Sequence, residues 1–222
     1  MSLEAVIFDF DGVVVDSHHA HERSWFELAA ELGETLTYEQ FHETFGQRNE
    51  SIIPWLGWAD AMDHAKIRRL GDRKEVLYRA ILEKEGIVPL PGVVALLKKL
   101  GEAGIPTAVG TSAPRANIEC VFRLLGLADD FREISASEDV SRGKPDPEVF
   151  LKAAAKLKVK PENCVVIEDA HAGIRAARAG GMKAVAVTTT HDADALAREM
   201  PDLVVDSLDE LDVERLGKLF AC

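Results

Sequence analysis

Two carboxylates follow the first apolar segment of the chain. Residues 5–8 read Ala-Val-Ile-Phe, and Asp9 and Asp11 come directly after them, in a run that continues with Gly12. Paired acids at the end of a buried strand are costly, because the two charges repel each other and lose hydration. Such acids persist where a cation, a phosphate group or a proton transfer compensates for them. The pattern favours a magnesium-dependent phosphoryl-transfer site; the alternative is an ordinary Asp-Gly turn after a strand.

Further candidate residues follow two later apolar segments, and one more lies in a turn. They are Gly110, Thr111 and Ser112 after one apolar segment, Glu168 and Asp169 after another, and Lys144 in a turn that also contains Pro145 and Pro147. Taken alone, each has an ordinary interpretation as a helix cap or a solvated turn residue. Because ligands of an open parallel sheet bind beyond the carboxyl ends of its strands, their joint occurrence indicates a single site.

The elements that must position these side chains alternate along the chain from Val93 onward. Helices are predicted near residues 93–100, 117–125, 147–157 and 172–179, and strands at 105–109, 133–134, 164–167, 184–187 and 203–205. Helices that alternate with short, wholly apolar strands are typical of a parallel sheet covered on both faces. We therefore expect an α/β fold with a Rossmann-like parallel sheet as its core.

The segment from about Ser17 to Gly86 departs from this alternation, because it has helical periodicity and no convincing strand. Its apolar stripes are formed by Trp25, Leu28, Ala29 and Leu32, and by Ile67, Leu70, Leu77, Ile81 and Leu82. The prediction is a catalytic core of residues 1–16 and 88–222 with an inserted helical cap domain of residues 17–87. An insertion there is expected to overhang the acidic loop and to exclude water, unless its helices merely enlarge the core.

The composition limits the partners. A formal net charge of −12 leaves no basic stripe along which a nucleic acid could lie. The three cysteines, Cys120, Cys164 and Cys222, have no spacing typical of a disulfide framework or a zinc site. No segment resembles an export signal or a membrane span. We expect a cytoplasmic protein, a monomer or weak homodimer, that does not bind membranes.

In this order, the motifs resemble the haloacid dehalogenase superfamily of phosphatases and phosphomutases, and the resemblance covers essentially the whole chain. The family's signature residues correspond to Asp9, Asp11, Thr111, Lys144, Glu168 and Asp169. The resemblance implies that Asp9 is the nucleophile that forms an aspartyl-phosphate, and that Asp11 donates a proton to the leaving oxygen and later activates the acceptor.

The resemblance also implies ligands. Mg²⁺ is expected on the Asp9 carboxylate, the Asp11 backbone carbonyl and Asp169, with Glu168 nearby or bound through water. Thr111 and Lys144 are expected to contact the phosphoryl oxygens, which carry the spreading charge of the transition state. The remaining candidate substrate-binding residues in the core are Gly12, Ser112 and Arg115.

The insertion resembles the cap of the β-phosphoglucomutase-like branch, which includes many sugar-phosphate phosphatases. Substrate-facing cap positions of that branch correspond to His21, Trp25, Arg48 and, more loosely, Lys74. After Thr111, Pro114 and Arg115 stand where mutases tend to have Lys and Asn. Arg115 is a candidate replacement for the distal phosphate contact.

The function implied is a magnesium-dependent phosphatase acting on a small phosphorylated metabolite, with a sugar phosphate as the expected substrate. A phosphomutase remains an alternative, since the two differ only in whether the aspartyl-phosphate meets water or a sugar hydroxyl. A catalytically silent binding protein on the same fold is a further alternative. Dehalogenation is disfavoured, because such a site needs neither Asp11 nor a metal. A phosphonate-cleaving relative is also disfavoured, because it usually lacks the Asp11 equivalent.

Overall fold

The computed structural model describes residues 2–44 and 46–221. The chain forms two compact units, one of Met1–Asp16 with Val88–Cys222 and one of Ser17–Ile87. The first contains a β-sheet and is called the sheet unit below; the second is the helical unit.

The segments that lead into and out of the helical unit run side by side within the sheet unit. The Leu90 N–H donates to the Val14 carbonyl at 2.9 Å, and Val15 pairs with Pro89 in an isolated antiparallel bridge. The chain therefore leaves the sheet unit and returns to it at neighbouring points.

Within the described residues, the helical unit contains four α-helices. They are α1 (His18–Leu32), α2 (Tyr38–Thr44), α3 (Asn49–Trp55) and α4 (His64–Glu85). The apolar faces of α1 and α4 contribute Trp25, Leu28 and Ile67 to one hydrophobic cluster. The periodicity also placed Leu32 on this stripe, but Leu32 is 37% exposed. It is the last residue of α1, directly before the left-handed Gly33.

The sheet unit is built on parallel strands. They are β1 (Ala5–Phe8), β2 (Thr107–Gly110), β3 (Glu133–Ser135), β4 (Cys164–Glu168), β5 (Lys183–Val187) and β6 (Leu203–Val205). Their order is β3-β2-β1-β4-β5-β6, and every neighbouring pair is parallel. The predicted α/β fold with a parallel sheet is confirmed. The predicted strand at 105–109 starts two residues later, because Pro106 has no N–H to contribute to the ladder.

The sheet unit also contains α-helices between its strands and after its last strand. They are α5 (Val93–Glu102), α6 (Arg115–Leu125), α7 (Glu148–Leu157), α8 (His171–Ala179), α9 (Ala193–Ala197) and α10 (Val213–Gly217). The first four were predicted. The last two were not, because helices of five residues are too short to produce a periodic pattern. Across residues 2–44 and 46–221, no helix combines the length and the apolar character needed to cross a membrane.

Both faces of the sheet are covered. Along β1, Ile7 belongs to the same cluster as Phe150 of α7 and Ile174 of α8. The next residue, Phe8, packs edge-on against Phe131 with ring centroids 5.6 Å apart. Successive residues of a strand point to opposite faces, so β1 is clamped on both sides. Its carboxyl end, where Asp9 follows, is therefore held in place.

Adjacent valines at the start of α5 offer a test of the burial of one face of this helix. Val93 is 0% exposed, whereas Val94 is 53% exposed. Val93→Ala is expected to lower the free energy of unfolding by roughly 1.5–3 kcal/mol, because it removes buried methyl groups and leaves a cavity. Val94→Ala gains the same helix propensity and loses no packing. Urea unfolding of both variants measures the difference, and equal effects would contradict the burial of the Val93 face of α5.

Candidate active site

The loop after β1 is a tight turn that presents Asp9. The Asp9 N–H donates to the Ile167 carbonyl at 2.9 Å, which extends the β1–β4 pairing by one residue. The N–H groups of Val14 and Val15 then donate to the Phe10 carbonyl, while the Gly12 N–H donates to the Val15 carbonyl. The buried Asp9 side chain is thus anchored by strand pairing on one side and by a hydrogen-bonded turn on the other.

The end of β4 brings two further acids to the same edge of the sheet. Glu168 and Asp169 are both buried. The Glu168 carboxylate accepts a hydrogen bond from the Ala170 N–H at 2.7 Å. It also fills the space beside Gly173 on α8, where an added Cβ would lie 1.8 Å from Oε1.

The loops after β1 and β4 touch at Gly12. Gly12 has a φ of +82°, which favours glycine. A Cβ at this position would lie 2.1 Å from Oδ2 of Asp169. The close approach of the two loops therefore depends on a residue without a side chain.

Lys144 supplies the positive charge of the cluster. Its Nζ lies 2.8 Å from Asp9 Oδ1 and 2.6 Å from Glu168 Oε1. The Phe150 ring centroid is 4.8 Å from the same nitrogen. Burial alone would lower the pKa of Lys144, but the charges of Asp9 and Glu168 outweigh it and raise that pKa. Lys144 therefore stays protonated and bridges the two carboxylates.

The buried acids hold their protons more tightly than ordinary carboxyl groups do. Burial raises the pKa of Glu168 well above its usual value, with Lys144 acting in the opposite direction. Burial and the nearby charge of Asp9 raise the pKa of Asp169 to about 7, although the Thr190 hydroxyl and Lys144 lower it. Three carboxylates face one ammonium group, so the fully ionised cluster has excess negative charge.

This cluster has the donors that a hard divalent cation requires. Asp9, Glu168 and Asp169 each offer one carboxylate oxygen, and these three atoms lie within 4.8 Å of one another. Asp169 Oδ1 is buried and accepts no hydrogen bond from the described residues. An oxygen-only ligand set with excess negative charge suits Mg²⁺. The residues present therefore fit the metal that the sequence predicted.

The predicted phosphate-binding residues follow β2. Thr111 is buried, and its N–H donates to the Ser135 carbonyl at 3.0 Å. Its hydroxyl oxygen accepts from the Ala113 N–H at 3.1 Å. Ser112 and Asp11 are partly exposed. All these residues belong to the sheet unit, but contact with substrate stays a prediction for Thr111, Ser112, Gly12 and Asp11.

Three of the four residues predicted for the cap meet inside the helical unit. Lys74 is 2% exposed. Its Nζ lies 2.6 Å from His21 Nδ1 and 3.1 Å from Glu75 Oε1. The same nitrogen is 5.6 Å from the Trp25 ring centroid, and Trp25 itself is buried in the apolar cluster.

Arg48 has different surroundings from these three. It precedes α3 and lies 3.7 Å from Glu50, with the guanidinium partly exposed. Its sequence neighbour Asn49 donates a hydrogen bond to Glu75 at 2.7 Å. Glu75 also contacts Lys74, so Arg48 is next in sequence to a residue that is hydrogen-bonded to the Lys74 group. Substrate contact by His21, Trp25, Lys74 and Arg48 stays a prediction.

Arg115, the predicted distal phosphate contact, is engaged within the sheet unit. Its guanidinium donates to Asp139 Oδ2 at 2.7 Å and to the Ile134 carbonyl at 3.2 Å. Lys156 on α7 contacts the same Asp139 oxygen at 3.0 Å. Arg115 therefore ties the start of α6 to the loop after β3.

Sequence reasoning missed two residues at the site. Thr190 and His191, in the segment after β5, both contact Asp169. The rule that pointed to the ends of the other strands applies equally to β5, so the signal was present. Helix α8 begins at His171, two residues after Asp169. The His171 Nδ1 lies 3.2 Å from Glu199 Oε1.

The fold and the acidic cluster define a class of protein. The family model for haloacid dehalogenase-like hydrolases matches residues 3–181. The chain belongs to this family, as its motifs predicted.

Individual members of this family are similar to the chain over nearly its whole length. β-Phosphoglucomutase of Bacillus subtilis (strain 168) is 34% identical over 218 residues, covering 94% of this chain and 95% of the relative. Hexitol phosphatase A of Escherichia coli (strain K12) is 34% identical over 215 residues, covering 97% and 96%. The crystal structure of β-phosphoglucomutase from Clostridium difficile has a TM-score of 0.84 at 30% identity, covering 98% and 96%. The relatives thus include a phosphatase and phosphomutases.

Asp169→Asn is expected to stabilise the metal-free protein above neutral pH. The pKa of Asp169 is about 7 in the fold, against roughly 3.9 for an unfolded aspartate. The raised pKa therefore stabilises the fold fully below about pH 4, and this contribution is lost as the pH rises through 7. Asparagine has no such loss, so the variant's advantage should grow from about pH 4 and level off above pH 7.

Urea midpoints measured in EDTA across this pH range test the expectation. Asp194→Asn, at an exposed position, serves as the matched control. A stability difference that does not change with pH, or an Asp169→Asn variant less stable than the wild type at pH 8, would contradict the electrostatic description of the cluster.

Proposed function

We propose that this protein is a magnesium-dependent phosphatase that hydrolyses a sugar phosphate or similar small phosphorylated metabolite through an aspartyl-phosphate on Asp9. The observation that carries the proposal is the buried cluster in which Lys144 lies between Asp9 and Glu168 while Asp169 Oδ1 has no hydrogen-bond donor among the described residues. A structural ion pair does not need three buried acids. A site that receives a cation and a phosphate group does.

In the first step, the Asp9 carboxylate attacks phosphorus. A bond forms between the Asp9 oxygen and phosphorus, and the bond from phosphorus to the sugar oxygen breaks. Asp11 donates its proton to that leaving oxygen, which departs as an alcohol. Acid catalysis of this kind typically contributes roughly a hundred- to ten-thousand-fold in rate.

In the second step, Asp11 acts as a base. Its carboxylate takes a proton from water as the water oxygen attacks the phosphorus of the aspartyl-phosphate. The bond between phosphorus and the Asp9 oxygen breaks, inorganic phosphate leaves, and both aspartates return to their starting states.

Lys144 and Thr111 stabilise the charge on the transferring group. The Lys144 ammonium is already oriented by Asp9 and Glu168, so little reorganisation is needed when a phosphate group arrives. The Thr111 oxygen uses a lone pair to accept from Ala113, which leaves its hydrogen for a phosphoryl oxygen. Loss of one such donor typically costs on the order of 3 kcal/mol of barrier.

The carboxylates of Asp9 and Asp169 would hold magnesium, with the Asp11 carbonyl as the further ligand that the resemblance implies. Glu168 is occupied by Lys144 and Ala170, which favours an indirect role through water. The cation supplies charge that offsets the repulsion between the Asp9 carboxylate and a phosphate dianion.

The hydrogen bonds of Arg115 within the sheet unit favour hydrolysis over mutase chemistry. A mutase must hold a second, distal phosphate while the intermediate turns over. Pro114 and Arg115 depart from the mutase pattern, and the Arg115 guanidinium is committed to Asp139 and Ile134. The second candidate, intramolecular phosphoryl transfer, is supported by similarity to the B. subtilis mutase. Equal identity to the E. coli phosphatase means that similarity alone does not separate the two.

The setting proposed for this reaction is the cytoplasm, with the protein as a monomer or weak homodimer. The net charge of −12 disfavours a nucleic-acid partner and is compatible with a small anionic substrate bound at one local positive site.

A phosphorus NMR time course with magnesium distinguishes the two reactions. The panel comprises aldose, ketose and hexitol phosphates, together with β-glucose 1-phosphate primed with a trace of the 1,6-bisphosphate. We expect inorganic phosphate to appear from at least one member. Conversion of glucose 1-phosphate to glucose 6-phosphate without phosphate release would replace the phosphatase by the mutase, and inactivity on every member would favour the silent binding protein.

Asp9→Asn is expected to abolish turnover of the best substrate, because an amide does not attack phosphorus. Its circular dichroism spectrum should match that of the wild type. Asp129→Asn, which changes an exposed acid of the same unit, controls for the loss of one charge and should retain full activity. Substantial phosphate release by Asp9→Asn would remove Asp9 as the nucleophile.

A further inference from the structure

We propose that Thr190 is a positioning residue for Asp169, and that it selects Oδ1 as the oxygen presented to the metal. This inference rests on the magnesium site of the proposed function. Thr190 lies three residues beyond β5 and belongs to none of the motifs that carry the family resemblance.

The contacts of Thr190 are specific to one carboxylate oxygen. Its Oγ1 lies 2.6 Å from Asp169 Oδ2 and 3.0 Å from the Asp169 backbone carbonyl. Asp169 Oδ1 is buried and has no such donor among the residues described. The two oxygens of one carboxylate are therefore in different states: one is hydrogen-bonded and the other is available.

Proton counting defines the direction of these bonds. The Thr190 hydroxyl has one hydrogen, and the nearest acceptor is the carboxylate oxygen Oδ2, so we assign the hydrogen to that contact. His191 Nδ1 lies 2.8 Å from Thr190 Oγ1 and 3.2 Å from the Asp169 carbonyl. Since both neighbours then act as acceptors, Nδ1 must carry the hydrogen. His191 thus orients the Thr190 hydroxyl toward Asp169.

Gly12 restricts the orientation of the Asp169 carboxylate from a second side. An added Cβ at Gly12 would lie 2.1 Å from Oδ2 but 3.2 Å from Oδ1, so it is Oδ2 that packs against the Gly12 backbone. Oδ2 is therefore held between the Thr190 hydroxyl and the turn after β1. Rotation about the carboxylate axis would break the Thr190 bond, and this restricts Asp169 to one orientation.

A preoriented ligand should bind the cation more tightly, because the ordering is completed during folding. Hydrogen-bond partners of metal ligands typically change metal affinity by about 10- to 100-fold when they are removed. Thr190→Val keeps the shape of the side chain and removes the hydroxyl. Thr190→Ser keeps the hydroxyl.

The test is calorimetric titration of Mg²⁺ into EDTA-stripped and dialysed protein, with the same variants assayed for phosphate release over a range of Mg²⁺ concentrations. Thr188→Val is the matched control, because Thr188 leaves the same strand end but its hydroxyl donates to Asp206 at 2.8 Å. Thr190 is exposed, so its variants should fold, and melting curves of the metal-free proteins check this.

We expect Thr190→Val to raise the Mg²⁺ dissociation constant about tenfold or more, and Thr190→Ser and Thr188→Val to stay within about twofold of the wild type. The Mg²⁺ concentration for half-maximal activity should rise in parallel, with kcat recovered at saturating Mg²⁺. Unchanged affinity in Thr190→Val, or an equal loss in Thr188→Val, overturns the inference. Failure of the wild type itself to bind Mg²⁺ would instead overturn the metal site of the proposed function.

Discussion

The sheet unit buries three carboxylates around one ammonium group, and the rest of this unit must compensate for the unfavourable free energy of that burial. Desolvation opposes ionisation of Glu168 and Asp169, and Lys144 compensates for only part of the negative charge. A fold that served stability alone would replace such a cluster with apolar side chains. The parallel sheet makes it possible because β1 and β4 are neighbours, which brings their carboxyl ends to one edge. Free energy from the packed faces of the sheet then offsets the cost of the cluster.

The second requirement is that the segments around the cluster approach one another closely. Glycines make this possible, because they have no side chain to fill the space. Gly12 leaves room for the Asp169 carboxylate, and Gly173 leaves room for that of Glu168. Each acid is thus paired with a glycine on a different segment of the chain. The geometry of the acidic cluster therefore depends on the missing side chains of these two glycines as well as on the charged groups.

Much of this arrangement could be predicted from the sequence because its signals are local. Short, wholly apolar segments mark β1 and β4, and the acids follow them directly. Helices α2 and α3 escaped prediction because seven residues give too few turns for a clear stripe. The burial of Lys74 was hidden for a different reason: its neighbours are charged, and His21 approaches it only after folding. Thr190 likewise acquires its contact with Asp169 through tertiary structure alone.

The hydrogen bond between Val14 and Leu90 joins the two segments that lead into and out of the helical unit, and this affects how the protein can change during evolution. Because the outgoing and returning segments are already hydrogen-bonded, the loop they close is anchored at its base whatever its length. Closing a longer loop costs little additional entropy. The helical unit can therefore be lengthened, shortened or exchanged without disturbing the strand order. The sheet unit, which contains the acidic cluster, can keep its geometry while the helical unit changes.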